Sequence, residues 1–426
     1  MRWIAALLIF AAPLFAQTLD ERVTREMSSL LDTYKTLHAT PELSTQEAKT
    51  SAFVAKRLRE LGYEVTYPFG RYKEPDTTCY GVVAILRNGN GPVVLVRSDM
   101  DALPIAEQTG LPYASQNAGV MHACGHDVHM TTLLGTAKLL ADLKSQWKGT
   151  VMLIGQPAEE IVRGAEGMLA AGLYEKFARP DYAIALHDWA VLDAGKVGYR
   201  AGAFMAATDS LNLTIRGVGG HGAAPHSTKD PVVLAAETIV ALQTIVSRER
   251  PPLEPVVVTV GKIEGGTKRN IIPDEVRLYL TVRTFNPDVR RSVLEAIQRI
   301  PKGIAMAAGV PDDRAPVYEP LPAESISATF NDTPLTRRLA ASIGKELGAG
   351  NVIEIEPSMV SEDFGLFSDG GKIPTVMLAL GAGDPAKLKS GTQPGLHSSK
   401  FAPADPELVL RTGVRAAVAA VLDLLR

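Results

Sequence analysis

Within His122-Ala-Cys-Gly-His-Asp-Val-His129, one thiol, three imidazoles and a carboxylate fall inside eight residues of a chain that holds only 2 cysteines and 8 histidines in 426 positions. Thiolate and imidazole are the donors that borderline divalent cations take. Cys124 and His126, two residues apart, can reach one ion from a single loop. An isolated Cys-x-His would carry little, because a buried cysteine commonly packs as a small hydrophobe. The clustering therefore points to a transition-metal centre.

Other donors sit after apolar runs elsewhere. Glu159-Glu160 follows Gln156-Pro157-Ala158, which follows the run Thr150 to Ile154. In an extended backbone adjacent side chains point to opposite sides, so one carboxylate can face a metal and its neighbour the substrate. His187 ends the apolar run Tyr182 to Leu186, and His397 lies in the polar loop Gly395-Leu-His-Ser-Ser399. With Cys124, His126 and Glu160 these make a set large enough for two ions that keep an open position for water. Gly217-Val-Gly-Gly-His-Gly222 satisfies the letters of a dinucleotide fingerprint. Such glycines should open directly into a helix, whereas Ala223-Ala-Pro225-His226 intervenes and the next helix is expected only near Asp230. The glycines are read instead as a turn that presents His221. No G-x-S-x-G occurs, so a serine nucleophile elbow is unsupported.

The segments around these residues alternate in type. Helical periodicity covers Thr45 to Leu61 and Thr131 to Leu143, and short apolar strands cover Gly81 to Leu86, Val93 to Val96 and Thr150 to Ile154. That rhythm predicts an α/β fold, a mostly parallel sheet covered by helices, with ligand sites at the carboxyl ends of its strands. Between about Met205 and Glu319 the order changes to strand Ser210 to Arg216, a helix near Asp230, strands Val256 to Ile263 and Glu275 to Thr284, and a helix after Pro287. This predicts an inserted α+β, ferredoxin-like domain. The first domain resumes with a helix after Pro334, a strand Thr375 to Leu380 and a last helix Asp405 to Leu425. The expected partition is leader 1–16, main domain 17–204, inserted domain 205–322 and main domain again 323–426.

The joint pattern resembles a known family. Arg97-Ser-Asp-Met-Asp-Ala-Leu-Pro104, Met121 to His129, Gln156-Pro-Ala-Glu-Glu160, Gly219-Gly-His-Gly-Ala-Ala-Pro-His226, Arg269-Asn-Ile-Ile-Pro-Asp274, Ser361-Glu-Asp-Phe364 and Leu396-His397 are similar to motifs of the dinuclear metal-dependent amidohydrolases of the aminoacylase and carboxypeptidase superfamily, in the branch of hippurate and auxin-conjugate hydrolases. The resemblance implies a zinc-peptidase-like catalytic domain and an inserted lid that also dimerises. It implies Cys124, His126, Glu160, His187 and His397 as ligands of two divalent ions (Zn, Mn, Ni or Co), Glu159 as general base, and Asp101 as the aspartate that orients a ligand. It further implies that His221 serves the partner subunit's site as an oxyanion donor, and that Asn270 and Arg283 contact the substrate or its carboxylate. His122 and His129 become supporting residues, and Asp188 departs from the apolar residue such proteins often carry there. The implied reaction is hydrolysis of the amide bond of N-acyl amino acids. A dipeptidase, aminopeptidase or carboxypeptidase on short peptides is the nearer alternative, and a non-catalytic metal-stabilised receptor the remoter one, which an intact Glu159 argues against.

Composition bounds the setting. The chain is 46% hydrophobic and 21% charged with net charge −3 and no basic block, which fits a folded two-domain protein and excludes nucleic acid as an expected partner. Since Cys124 is wanted as a ligand, Cys79 is expected to be a free buried thiol. Arg2, the apolar run Trp3 to Ala12 and small Ala16 before Gln17 have the form of a secretory leader. The run falls short of the ~20 residues a membrane span needs, so export to the periplasm or medium, with no span left after cleavage, is expected. Mass spectrometry of protein from its native host should find a chain beginning near Gln17. Intact Met1 to Ala16 on a soluble cytosolic species would refute export.

Overall fold

A computed structural model describes residues 17–426, so the expected leader lies outside the described residues. An eight-stranded sheet runs in the order Glu64–Phe69, Gly81–Asn88, Gly149–Gln156, Val93–Asp99, Tyr182–Asp193, Thr375–Gly383, Val197–Tyr199, Val352–Glu354. Its four central strands are mutually parallel, and antiparallel pairing is confined to the flanking strands. Central strands are buried on both faces, hence their continuous apolar runs: every residue of Thr375–Gly383 is buried. Val82, Ala84, Val94 and Val96 belong to one apolar cluster and Val83, Ile85 and Leu95 to another, as alternation along a strand requires. The first cluster is closed by helices Leu19–Ala39, His126–Asp142 and Pro406–Leu425. The second is closed partly by Phe364 and Phe367. Each fully buried Val, Leu or Phe here contributes roughly 1.5–3 kcal/mol of transfer free energy.

A second, four-stranded antiparallel sheet has the order Val256–Gly265, Glu275–Thr284, Ala207–Arg216, Val317–Ile326. Helices Pro231–Arg248 and Pro287–Ala307 cover one face of it, and alternate residues Val276, Leu278, Leu280 and Val282 point into that core. The other face carries Arg277, Tyr279, Thr281 and Arg283. The fourth strand, Val317–Ile326, was not anticipated. It contains Pro320 and Pro322, and proline is tolerated where no ladder hydrogen bond is lost, at a sheet edge.

Several boundaries differ from expectation in ways that matter for chemistry. The helix expected from Thr131 begins at His126. Gly125 takes the left-handed conformation (φ 86°) at the turn into it, and a Cβ there would lie 2.4 Å from Asp188 Oδ2, so only glycine fits. His187 is not at a strand end, because its strand continues to Asp193. Its pairing with Val93–Asp99 stops at Ala185, however, so His187 lies just beyond the last paired position on that side, while the other side stays paired with Thr375–Gly383. Glu159 and Glu160 lie on a turn rather than in extended chain, with Ala158 at φ 50°. The loop Gly217 to Gly222 does not open into a helix, for Val218 bridges Lys229 and the helix starts at Pro231.

One buried ion cluster ties distant segments to the strand ends. Arg97, fully buried, donates to Asp99 (2.6 Å), to both oxygens of Glu362 (2.8 and 3.2 Å), to Asp363 (3.2 Å) and to Gln156 (2.9 Å). Glu362 and Asp363 arrive from far along the chain, so this cluster fastens the Ser361 to Phe364 segment over the ends of Val93–Asp99 and Gly149–Gln156.

Candidate metal centre and active site

Each proposed donor is aimed by its own backbone or by a neighbour. His126 Nδ1 donates to the carbonyl of Asp101 (2.8 Å), which leaves Nε2 free and buried. That Nε2 lies 3.8 Å from Glu160 Oε1 and 3.9 Å from Glu159 Oε2. His187 Nδ1 donates to the carbonyl of Asp188 (2.9 Å), turning Nε2 toward Cys124 Sγ at 3.6 Å. His397 has φ 61°, and its backbone N–H bonds to Ala123 (2.8 Å), which brings its Nε2 to 3.3 Å from Glu160 Oε2. The donor atoms of Cys124, His126 and Glu160 all lie within 4.8 Å of one another. The five residues named as ligands are therefore in one place, although they come from the start of a helix, a turn, a strand and a loop near the C-terminus.

The electrostatics fit a cation. Burial, then the charges of Glu160 and Glu159, holds the Cys124 thiol well above its ordinary range. Burial, then Glu362 and Glu160, does the same to Glu159. Burial lifts Glu160 to about 7 against the pull of His126. Burial also drives His187 down to about 3, keeping its imidazole neutral as a ligand must be. Groups that resist ionisation because they crowd one another become good ligands once a divalent charge stands among them. Among the described residues, His126 Nε2, Glu160 Oε1 and Asp101 Oδ1 are buried with no hydrogen-bond partner, which is otherwise costly.

Supporting residues lie beneath. Asp101 Oδ2 accepts from Ser44 (2.6 Å) and from the backbone N–H of Glu160 (3.0 Å), so this aspartate orients both His126 and Glu160. His129 donates from Nδ1 to Asp99 (2.6 Å) and accepts at Nε2 from the N–H of Asp188 (2.7 Å), pinning the backbone next to His187. His122 is buried with both ring nitrogens unpartnered among the described residues, as are both oxygens of Asp188. Arg97, Asp99, Glu362 and Asp363 were given no role from sequence. The one signal available was an arginine directly following Val93 to Val96, where burial of the strand forces any charge to be paired. Both cysteines are free and buried.

A cavity of about 800 Å³ opens over the centre, lined by Cys124, Glu159, Glu160, His187, His397 and Arg283. Its other walls include Trp189, Met205, Met359 and Val360 on the apolar side and Thr208, Ser210 and Glu324 on the polar side. Arg283 is half-buried and hydrogen-bonds Ser361 Oγ. Among the described residues no carboxylate pairs with it. His221 and Asn270 do not line this cavity. They lie on an exposed two-stranded ribbon of Gly220–His221 and Ile271–Ile272, where the N–H of Ala223 donates to His221 Nδ1 (3.0 Å), leaving Nε2 outward.

The profile of peptidase family M20/M25/M40 matches residues 95–422. An N-acyl-L-amino acid amidohydrolase of Geobacillus stearothermophilus is 43% identical over 67% of this chain and 76% of its own. A hippurate hydrolase of Campylobacter jejuni is 40% identical over 78% of this chain and 83% of its own. A solved Bacillus subtilis structure, described as a dinuclear metal binding peptidase from the M20 family, superposes with a TM-score of 0.77 at 30% identity, covering 95% of this chain and 100% of that one.

Replacing Cys124 with serine exchanges a soft anionic donor for a hydroxyl that stays protonated. The Cys124→Ser protein is expected to keep less metal than wild type after equal dialysis, measured by elemental analysis. Unchanged content would move the site elsewhere.

Proposed function

The chain belongs to the M20/M25/M40 peptidase family, and from that membership we propose that it is a metal-dependent amidohydrolase that cleaves N-acyl amino acids to a carboxylic acid and an amino acid. The observation that carries this reading is one cavity in which a metal-donor set, a further carboxylate and an arginine without a carboxylate partner among the described residues face one another. Cys124, His126, Glu160, His187 and His397 would hold two divalent ions, the number implied by the description of the Bacillus subtilis relative. Ions so held polarise a carbonyl oxygen and lower the pKa of water. Glu159 takes the proton of the attacking water on a carboxylate oxygen and delivers it to the amide nitrogen as the C–N bond breaks. Arg283 pairs with the α-carboxylate of the amino-acid part, and the apolar wall of Trp189, Met205, Met359 and Val360 receives the acyl group.

Glu324 on the polar wall supports a second reading, because a carboxylate there can receive the free ammonium of a dipeptide. A panel of N-acyl amino acids against dipeptides separates the two by kcat/KM. Within the first reading, Glu159→Gln should retain its metals yet lose about 10²–10⁴-fold in kcat, the range for a general base. Wild-type turnover in that variant would reject the base assignment.

We also propose that the protein works as a dimer in which His221, with Asn270 beside it, serves the partner's cavity as oxyanion donor. Helix Pro231–Arg248 is apolar enough in length and composition to cross a membrane, yet only 33% of that window is buried. Val233 and Val240 stand 52% and 71% exposed along it. Val232 and Ile271 line one groove with Gly265 to Arg269, so this apolar face is continuous with the ribbon that carries His221. After verified subunit exchange, mixing inactive Glu159→Gln with inactive His221→Ala subunits should restore part of the activity, since some heterodimers then hold one complete site. Heterodimers that form and stay inactive would refute the shared site.

A further inference from the structure

We propose that Glu47, in the segment before the second helix, positions the catalytic base by holding the backbone turn on which Glu159 stands; this rests on Glu159 being the base. Glu47 is fully buried, and its Oε1 accepts from the N–H of Ala158 (2.9 Å), the residue immediately before Glu159, and from the N–H of Thr45 (2.9 Å). Ala158 and Thr45 are both left-handed, at φ 50° and 68°. A non-glycine residue in that region is strained and persists only where its surroundings hold it. The carbonyl of Ala158 is held as well, by the N–H groups of Arg163 and Gly164 (3.1 Å each). A Cβ on Gly164 would come 1.6 Å from the carbonyl oxygen of Pro157, so this turn is packed without slack.

On the far side of Glu159, the N–H of Glu160 donates to Asp101 Oδ2, which also accepts from Ser44. The general base is thus bracketed by two amides, each fixed by a buried carboxylate. Ser44 and Glu47 both come from one short segment that Ala102 anchors through its N–H to Glu42 (2.8 Å). Glu47 precedes helix Ala48–Glu60 as its N-cap, yet its carboxylate makes no capping bond to that helix. The ordinary use of an acidic residue at that place is therefore not its use here. Glu47 Oε2 has no partner among the described residues. Burial, then the charge of Asp101, raises its carboxyl to about 8. Glutamine at this place keeps a carbonyl oxygen that can accept from the amides of Ala158 and Thr45.

The test uses the metal-loaded protein. Glu47→Met keeps chain length without the acceptor and should lower kcat by about 100-fold, as small misplacement of a catalytic group does, with KM and bound metal unchanged. Glu47→Gln should restore most of the activity. If the Met and Gln variants are equally active while Glu159→Gln is inactive, the role of Glu47 is refuted and the base stands. An active Glu159→Gln refutes the base itself. Amide hydrogen exchange gives a reading independent of turnover. The Ala158 amide of wild type should exchange as slowly as those of strand Gly149–Gln156 and faster in Glu47→Met. Should Glu47→Met fail to fold, the wild-type measurement decides, and a loop-like rate at Ala158 overturns the proposal.

Discussion

The burial of Arg97 is the constraint on which the rest of the site depends. A guanidinium at the end of an apolar strand cannot remain unpaired, since removing one partner of a buried ion pair costs roughly 3–5 kcal/mol. Here its partners are Asp99, Glu362 and Asp363, two of which arrive from more than 260 positions away. The segment carrying them also carries Ser361, which Arg283 of the smaller sheet touches. Asp99 in turn holds His129, and His129 holds the backbone beside His187. A single buried cation thus connects the sheet, the segment facing the substrate and a metal ligand. Its neutralising charge also lets several carboxylates stand beside Glu159.

The parts of this arrangement legible in the sequence were those whose chemistry is carried by residue type. Cys124, His126, His187 and His397 stand out because thiols and imidazoles are scarce in this chain, and Glu160 because it follows an apolar run. The α/β rhythm was legible because strands buried on both faces must be continuously apolar. Glu47 and Ser44 were not legible. Each lies in a polar stretch that looks like an ordinary helix approach, and their role exists only because the fold brings them against Ala158 and Asp101. The edge strand Val317–Ile326 was hidden by its prolines for a similar reason, since its place at the edge is what makes them acceptable. His187 was placed at a strand end from hydrophobicity alone. The strand runs on, and what opens the side of His187 toward Cys124 is the end of its pairing with Val93–Asp99 at Ala185, a fact of register.

The smaller sheet answers a different requirement. Its helix-covered face is built on alternate apolar residues, and its bare face carries Arg283 beside Thr208 at the end nearest the metal donors. A flat sheet presents such side chains on a rigid surface and can bring an arginine to a cavity without spending loop flexibility. His221 and Asn270 sit on the exposed ribbon and do not line that cavity. One small domain therefore carries Arg283 at the cavity and an exposed ribbon with His221 and Asn270 outside the cavity lining.

The proposed donor Glu160 and the proposed general base Glu159 differ less in chemistry than in how they are held. Glu159 and Glu160 are adjacent carboxylates in the same buried turn. What separates their roles is geometry imposed from outside the pair. Glu160 lies within 3.8 Å of His126 and 3.3 Å of His397 and so stands among the proposed ligands. Glu159 instead falls in a separate acidic group with Glu362 and Asp363, whose charges oppose its ionisation while that of Arg97 favours it. A carboxylate committed to a cation cannot carry a proton through the reaction, and one left to repel its neighbours holds a proton too tightly to take part as a base. Among the charges acting most strongly on Glu159, that of Arg97 favours its ionisation against burial and the neighbouring carboxylates, and the left-handed turn at Ala158 is the backbone conformation that holds the residue there.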